Sequence, residues 1–184
     1  MRAGQLRHRV RVLSLTQDME VRAHGCRAMS IRTKDAGDVP AASGLRVPAL
    51  VDVRARWSAE LQQGRYLVHG ARLLRITSAR DFRGDRAELA MSCEEFVGIP
   101  ATVQREGLAP RCCRVFLAFD VPFLNAQYDQ APVLRTYAEV ALIEAGRVEE
   151  GDQLEADGVR YTVLSLAKER DDGVVRGLWL EAES

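Results

Sequence analysis

The 184-residue chain predicts a mainly β protein, built as two small antiparallel β-barrel or meander domains in tandem with long loops. Three observations carry that expectation. A strand-and-turn pattern is used twice, short runs alternate apolar and polar residues, and Gly and Pro punctuate the stretches between them. The first copy of the pattern opens at Gly64-Arg65-Tyr66-Leu67, turns at Gly70, continues through Leu73-Leu74-Arg75-Ile76 and closes with Leu89-Ala90-Met91-Ser92-Cys93. The second opens at Gly151-Asp152-Gln153-Leu154, turns at Gly158, continues through Tyr161-Thr162-Val163 and closes with Leu178-Trp179-Leu180. Each copy carries a charged turn ending on Gly, at Gly84 and Gly173, and Leu89 and Leu178 follow at equal distances. The expected domains are 1–98 and 99–184.

The segment from Leu6 to Val12 alternates, with Leu6, Val10 and Val12 on one face and Arg7, Arg9 and Arg11 on the other, the period of a half-buried strand. Gly25, Gly37, Pro40, Gly44 and Pro48 break residues 17–48 into a long loop, with room for a short strand at 26–32. Its most loop-like part runs from Thr33 to Gly44 and includes Lys34 and Asp35. A structureless loop of that length is usually functional. Val51, Val53, Ala55 and Trp57 alternate again and predict an inward face, as do Ala87, Leu89, Met91 and Cys93. Residues 96–108, with Gly98, Pro100 and Gly107, read as the linker. In the second domain, residues 114–119 are the first strand. Residues 122–129 form a second excursion bearing Phe123, Leu124, Asn125 and Tyr128, whose aromatics are either tucked under the loop or await a partner. Residues 133–137 are the next strand, and 138–145 fit a strand end or one helical turn. Replacing Phe123 and Tyr128 by Ala is expected to spare folding and impair assembly.

Net charge is zero, unevenly placed. Residues 1–98 carry 17 Lys+Arg against 11 Asp+Glu, and residues 99–184 carry 9 against 15. Halves of opposite sign suit head-to-tail association. The four cysteines, Cys26, Cys93, Cys112 and Cys113, lack zinc-ligand spacing, so reduced thiols in a cytosolic setting are expected. The Arg-rich start has no apolar signal core, and no apolar run is long enough to span a membrane. His8, His24 and His69 stand far apart in sequence, and no nucleotide-binding or hydrolase motif occurs. No enzyme activity, cofactor or metal is expected.

Two resemblances follow from particular residues. Arg2-Ala3-Gly4-Gln5-Leu6-Arg7-His8-Arg9-Val10, with the run from Gly70 to Cys93-Glu94, is similar to the head-closure (stopper, head-tail joining) family of tailed bacteriophages. Residues 17–48 depart from that family's usual hairpin. In the second half, Pro132-Val133-Leu134-Arg135-Thr136, Glu139-Val140, Gly151-Asp152-Gln153-Leu154, Asp171-Asp172-Gly173 and Leu178-Trp179-Leu180 resemble the lambda-type head-tail attachment family.

The resemblance implies a virion protein forming a homo-oligomeric ring of six copies. That ring closes the portal exit over genomic DNA and docks the tail. Its partners would be a portal or adaptor protein and a tail terminator or tail tube protein. Arg7, Arg9, Arg11, Lys34, Asp35, Phe123, Leu124, Asn125 and Tyr128 are the interface candidates. The alternative is a small β-barrel nucleic-acid-binding module, which would need Trp57, Tyr66 and Phe82 as stacking platforms along a basic groove.

Overall fold

A computed structural model describes residues 6–33, 49–81, 83–123, 133–167 and 171–183. The chain divides into two units, Met1–Val97 and Gly98–Ser184. In the first, β1 (His8–Leu15), β2 (Val21–Thr33), β3 (Ala49–Arg56), β4 (Tyr66–His69), β5 (Arg72–Asp81) and β6 (Glu88–Glu95) close into a barrel. The strand order is β1-β2-β3-β6-β5-β4, with β4 returning to β1. The alternating residues read from the sequence fill it: Val10, Val12, Met29, Val53, Leu67, Leu74, Ile76 and Cys93 are fully buried. Arg9 and Arg11 point out of the same strand. Slipping β1 by one residue would expose Val10 and Val12, losing about 1.5–3 kcal/mol for each before the cost of burying a guanidinium is counted. Register is set by that difference.

The second unit contains β7 (Ile99–Gln104), β8 (Arg111–Phe123), β9 (Val133–Ala141), α1 (Leu142–Ala145), β10 (Gln153–Ala156), β11 (Val159–Ala167) and β12 (Val175–Ala182). Its strands close in the order β10-β11-β12-β9-β8-β7, around Val103, Val115, Ala138, Val140, Leu154, Val163 and Leu178. Counted from each unit's own first strand, the two barrels have one and the same order.

The correspondence extends to single hydrogen bonds. The Gly64 amide donates to the Ile76 carbonyl at 2.8 Å, and the Ile76 amide to the Arg65 carbonyl at 2.8 Å. The Gly151 amide donates to Val163 at 2.8 Å, and the Val163 amide to Asp152 at 2.9 Å. Gly64 and Gly151 have φ of 83° and 89°, the left-handed region that a side chain resists. One residue beyond Ile76, and one beyond Val163, a bulge interrupts the ladder to β6 and to β12. Ile76 pairs with Cys93, and Val163 with Leu180.

Several expectations are corrected by the ladder. Met91 pairs with Ala79 and Leu178 with Leu166, each just past its bulge, so Leu178 corresponds to Met91 rather than Leu89. The turn glycine sits differently in the two hairpins, and counting from it misaligns the strands. Residues 21–33, read mostly as loop, form the 13-residue strand β2. Gly25, with φ of 88°, sits in this strand where its ladder with β1 shifts register between Arg11 and Leu13. The expected linker at 96–108 contains β7, which belongs to the second barrel. Trp57 lies just past β3 and is 38% exposed, with the Arg86 guanidinium 5.4 Å from its ring centroid, not in the core. Ala87 precedes β6 and is exposed. Residues 138–145 combine both readings, since β9 runs to Ala141 and α1 follows.

Candidate functional site

The two long connections predicted from sequence occupy equivalent places, between the second and third strands of each barrel. In the second unit the strands leading to that connection outgrow the barrel. From Phe116 to Phe123, β8 pairs with β9 but not with β7, and residues 133–135 of β9 pair with β8 but not with β12. This two-stranded ribbon bends at a register shift between Ala118 and Val121, where Asp120 has a φ of 55°. It exposes Phe119 (62%), Val133 (51%) and Leu134 (57%).

Phe123 closes β8 rather than lying in a loop, and its ring meets Trp179 edge-on at 5.0 Å. The Arg135 guanidinium lies 4.9 Å from the Phe123 centroid. Trp179 also meets Tyr137 at 5.2 Å, and the buried Tyr137 hydroxyl donates to Glu139 Oε1 at 3.2 Å. Phe123 therefore braces the ribbon, and its removal would disturb packing as well as any contact. Leu124, Asn125 and Tyr128 lie outside the described residues, as do Lys34 and Asp35.

Arg7, Arg9 and Arg11 are exposed on the outside of the first barrel. Cross-strand pairing surrounds this face with small residues. Arg9 stands opposite Ala28 and Arg11 opposite Cys26, while Arg54 lies between Ser30 and Ala90 and Arg80 opposite Ala90. Arg54 and Arg80 wall a shallow groove of about 320 Å³ floored by Ser78, Ala90 and Ser92. Arg54 is 3.6 Å from Glu88, and no carboxylate of the described residues comes within ion-pair distance of Arg9, Arg11 or Arg80. The second barrel differs: Arg105 pairs with Glu149, Arg114 with Glu144 at 2.8 Å, and Arg176 with Asp171 at 2.8 Å. Glu149 and Asp171, close to the turn glycines Gly151 and Gly173, are thus structural ties. Asp172 likewise accepts from the amides of Val174 and Val175.

The three histidines do not stay apart. The rings of His8 and His69 meet edge-on at 4.9 Å. His24 Nδ1 lies 2.6 Å from Glu60 Oε2, and Ser14 Oγ lies 2.9 Å from His24 Nε2. Serine, imidazole and carboxylate in that order have the spacing of a nucleophile, its base and the group that orients the base. Arg65 also donates to Nε2, so the lone pair that would take the serine proton is already shared. The His24 side chain is only 10% exposed, and Ser14 sits within β1. The cluster ties β1 and β2 to the turn before β4. Sequence spacing could not reveal it, because it depends on the β1–β2 register. A nucleophilic Cys112 or Cys113 has no histidine within its own unit, since residues 98–184 contain none. Cys113 is buried and its thiol is pushed up to about 12, chiefly by desolvation. Among the described residues no group of His, Cys, Asp and Glu could hold a metal ion, and no helix is long and apolar enough to cross a membrane.

Of the aromatics a single-strand-binding groove would need, Tyr66 is buried at 4% exposure, Trp57 is covered on one side by Arg86, and Phe82 lies outside the described residues. Comparison with known proteins finds no matching family model, no matching curated protein and no matching solved structure.

Proposed function

We propose that this chain is a structural virion protein of a tailed bacteriophage, assembling as a ring at the head-tail junction that closes the portal exit and docks the tail. The observation that carries the reading is the apolar ribbon of the second barrel. A closed barrel presents Phe119, Val133 and Leu134 on a ribbon at the base of a long connection, with Val133 and Leu134 on its opposite faces, and exposed apolar side chains on one element suit a protein partner. A head-to-tail ring uses two different patches of each copy, which a protein of two unlike-charged barrels supplies. The resemblance of both halves to neck proteins adds the location, the six-fold count, and the portal and tail partners.

Mass measurement across concentration, with negative-stain imaging of the full chain, tests the proposal. Closed rings are the expected result. Leu134→Asp should leave the circular dichroism spectrum unchanged and abolish the rings. A monomer at every concentration, unaltered by added portal rings, would overturn the reading.

A further inference from the structure

We propose that the outer face of the first barrel binds the phosphodiester backbone of duplex nucleic acid, through Arg9, Arg11, Arg54 and Arg80. The inference does not depend on ring assembly. It rests on placement: four guanidiniums on three strands of one barrel, two on β1 and one each on β3 and β5, each opposite a small neutral side chain across the ladder. Arg9 and Arg11 are two residues apart on β1, hence about 7 Å along the strand, and neighbouring strands stand about 4.8 Å apart. Arg7, Arg32 and Arg56 are exposed on the outer surface of the same barrel, and Asp52, Glu88 and Glu94 are carboxylates on its neighbouring outward positions. The net result is a strongly positive surface with a groove between Arg54 and Arg80.

Two features point to phosphates rather than bases or carboxylates. The planar guanidinium fork matches a phosphate and is less tightly hydrated than an ammonium group, so Arg9, Arg11 and Arg80, which meet no carboxylate of the described residues, are suited to that ligand, with Arg54 beside them 3.6 Å from Glu88. The aromatics near this face do not offer stacking platforms, because Tyr66 is buried and Trp57 is half covered by Arg86. Contacts confined to the backbone position a duplex without reading its sequence. An acidic second copy fits less well. The Glu144, Glu149 and Asp171 carboxylates of the second barrel are already held by its own Arg114, Arg105 and Arg176.

The test is fluorescence anisotropy of the full-length chain with a labelled duplex of about 24 base pairs and mixed sequence, between about 50 and about 200 mM salt. Binding is expected, with log K falling against log salt at a slope of about −4, the value for roughly four neutralised phosphates. The triple variant Arg9→Ala, Arg11→Ala, Arg80→Ala should bind at least tenfold more weakly, with the slope shallower by about 2.7. The matching triple Lys variant should keep most of the affinity, since it preserves the charge. Arg147→Ala, an exposed change in the second unit, should have no effect. Circular dichroism confirms that each variant is folded. Absence of duplex binding at the lowest salt, or equal binding by the wild type and the triple Ala variant, would overturn the proposal. It would equally fail if the triple Ala variant lost self-association while neither protein bound the duplex, which would assign the face to an acidic copy.

Discussion

Burial pushes the thiol of Cys93 from an ordinary 9.0 up to about 12, and the Asp52 and Glu94 carboxylates add to the effect. Cys113 is raised to about 12 for the same first reason, with Glu144 next. A group whose proton is held more tightly in the folded state stabilises that state below its unfolded value and loses the contribution as pH rises. Each thiol should therefore cost up to about 1.4 kcal/mol of stability per pH unit between about 9 and about 12. Urea titrations at pH 8 and pH 10 should show a lower midpoint at the higher pH, and Cys93→Ala with Cys113→Ala should flatten that dependence. An unchanged pH response in the double variant would show that other groups cause it. The alternating pattern made the burial of Cys93 legible in the sequence, since it shares a face with Leu89 and Met91. The fates of Cys112 and Cys113 were not legible, because adjacent residues on a strand face opposite ways and only the pairing of β7 with β8 decides which points inward. The Ser14–His24–Glu60 cluster was hidden for a related reason: its three members come from two strands and a turn.

At the scale of the element, Gly177 shows how closely β12 approaches its neighbours. A Cβ placed there would stand 2.6 Å from the Tyr137 hydroxyl and 2.9 Å from Ala167 Cβ. Tyr137 is fully buried and cannot swing away without leaving Glu139. Gly177→Ala should cost about 1–3 kcal/mol, measured by urea denaturation, and should shift the fluorescence of the adjacent Trp179. Gly173→Ala, in the exposed turn, should cost stability through its φ of 75° and leave the Trp179 signal in place. A silent Gly177→Ala would mean that the Tyr137 stack is looser than its geometry. Elements with strict alternation, such as β1, β3 and β6, were readable because the apolar face is a local property. Strand β2 was not: its outward residues include Ala28 and Ser30, its Gly25 mimics a loop, and only the long-range ladder to β1 makes it a strand. Phe123 was misread for the opposite reason, as an aromatic beside Pro122 and near Asn125 imitates a turn until Trp179 is seen beneath it.

At the scale of the whole molecule, each hydrophobic core is drawn from residues of one unit alone. A fragment of residues 98–184 should therefore fold without the first unit, giving a strand-type circular dichroism spectrum and one cooperative urea transition. A fragment lacking that transition would show that the second barrel depends on the first. The repeated glycine-led pattern made the pair of barrels visible in the sequence, because it marks the stretch where both use the same bonds and the same bulge. The first three strands of the two barrels share no comparable motif, and there the common order appears only in the folded chain.

The closure of both barrels has a consequence for behaviour at high concentration. Pairing β4 with β1, and β10 with β7, consumes the backbone donors and acceptors that an open sheet would leave along its rim. Among the described residues, backbone pairing with a neighbour is left to the stretches held on one side only: residues 30–33 of β2, 78–81 of β5, 116–123 of β8 and 133–135 of β9. When copies crowd together, the risk of seeding fibrils therefore sits at these one-sided stretches, above all the apolar ribbon of β8 and β9, and not along the closed walls of the barrels.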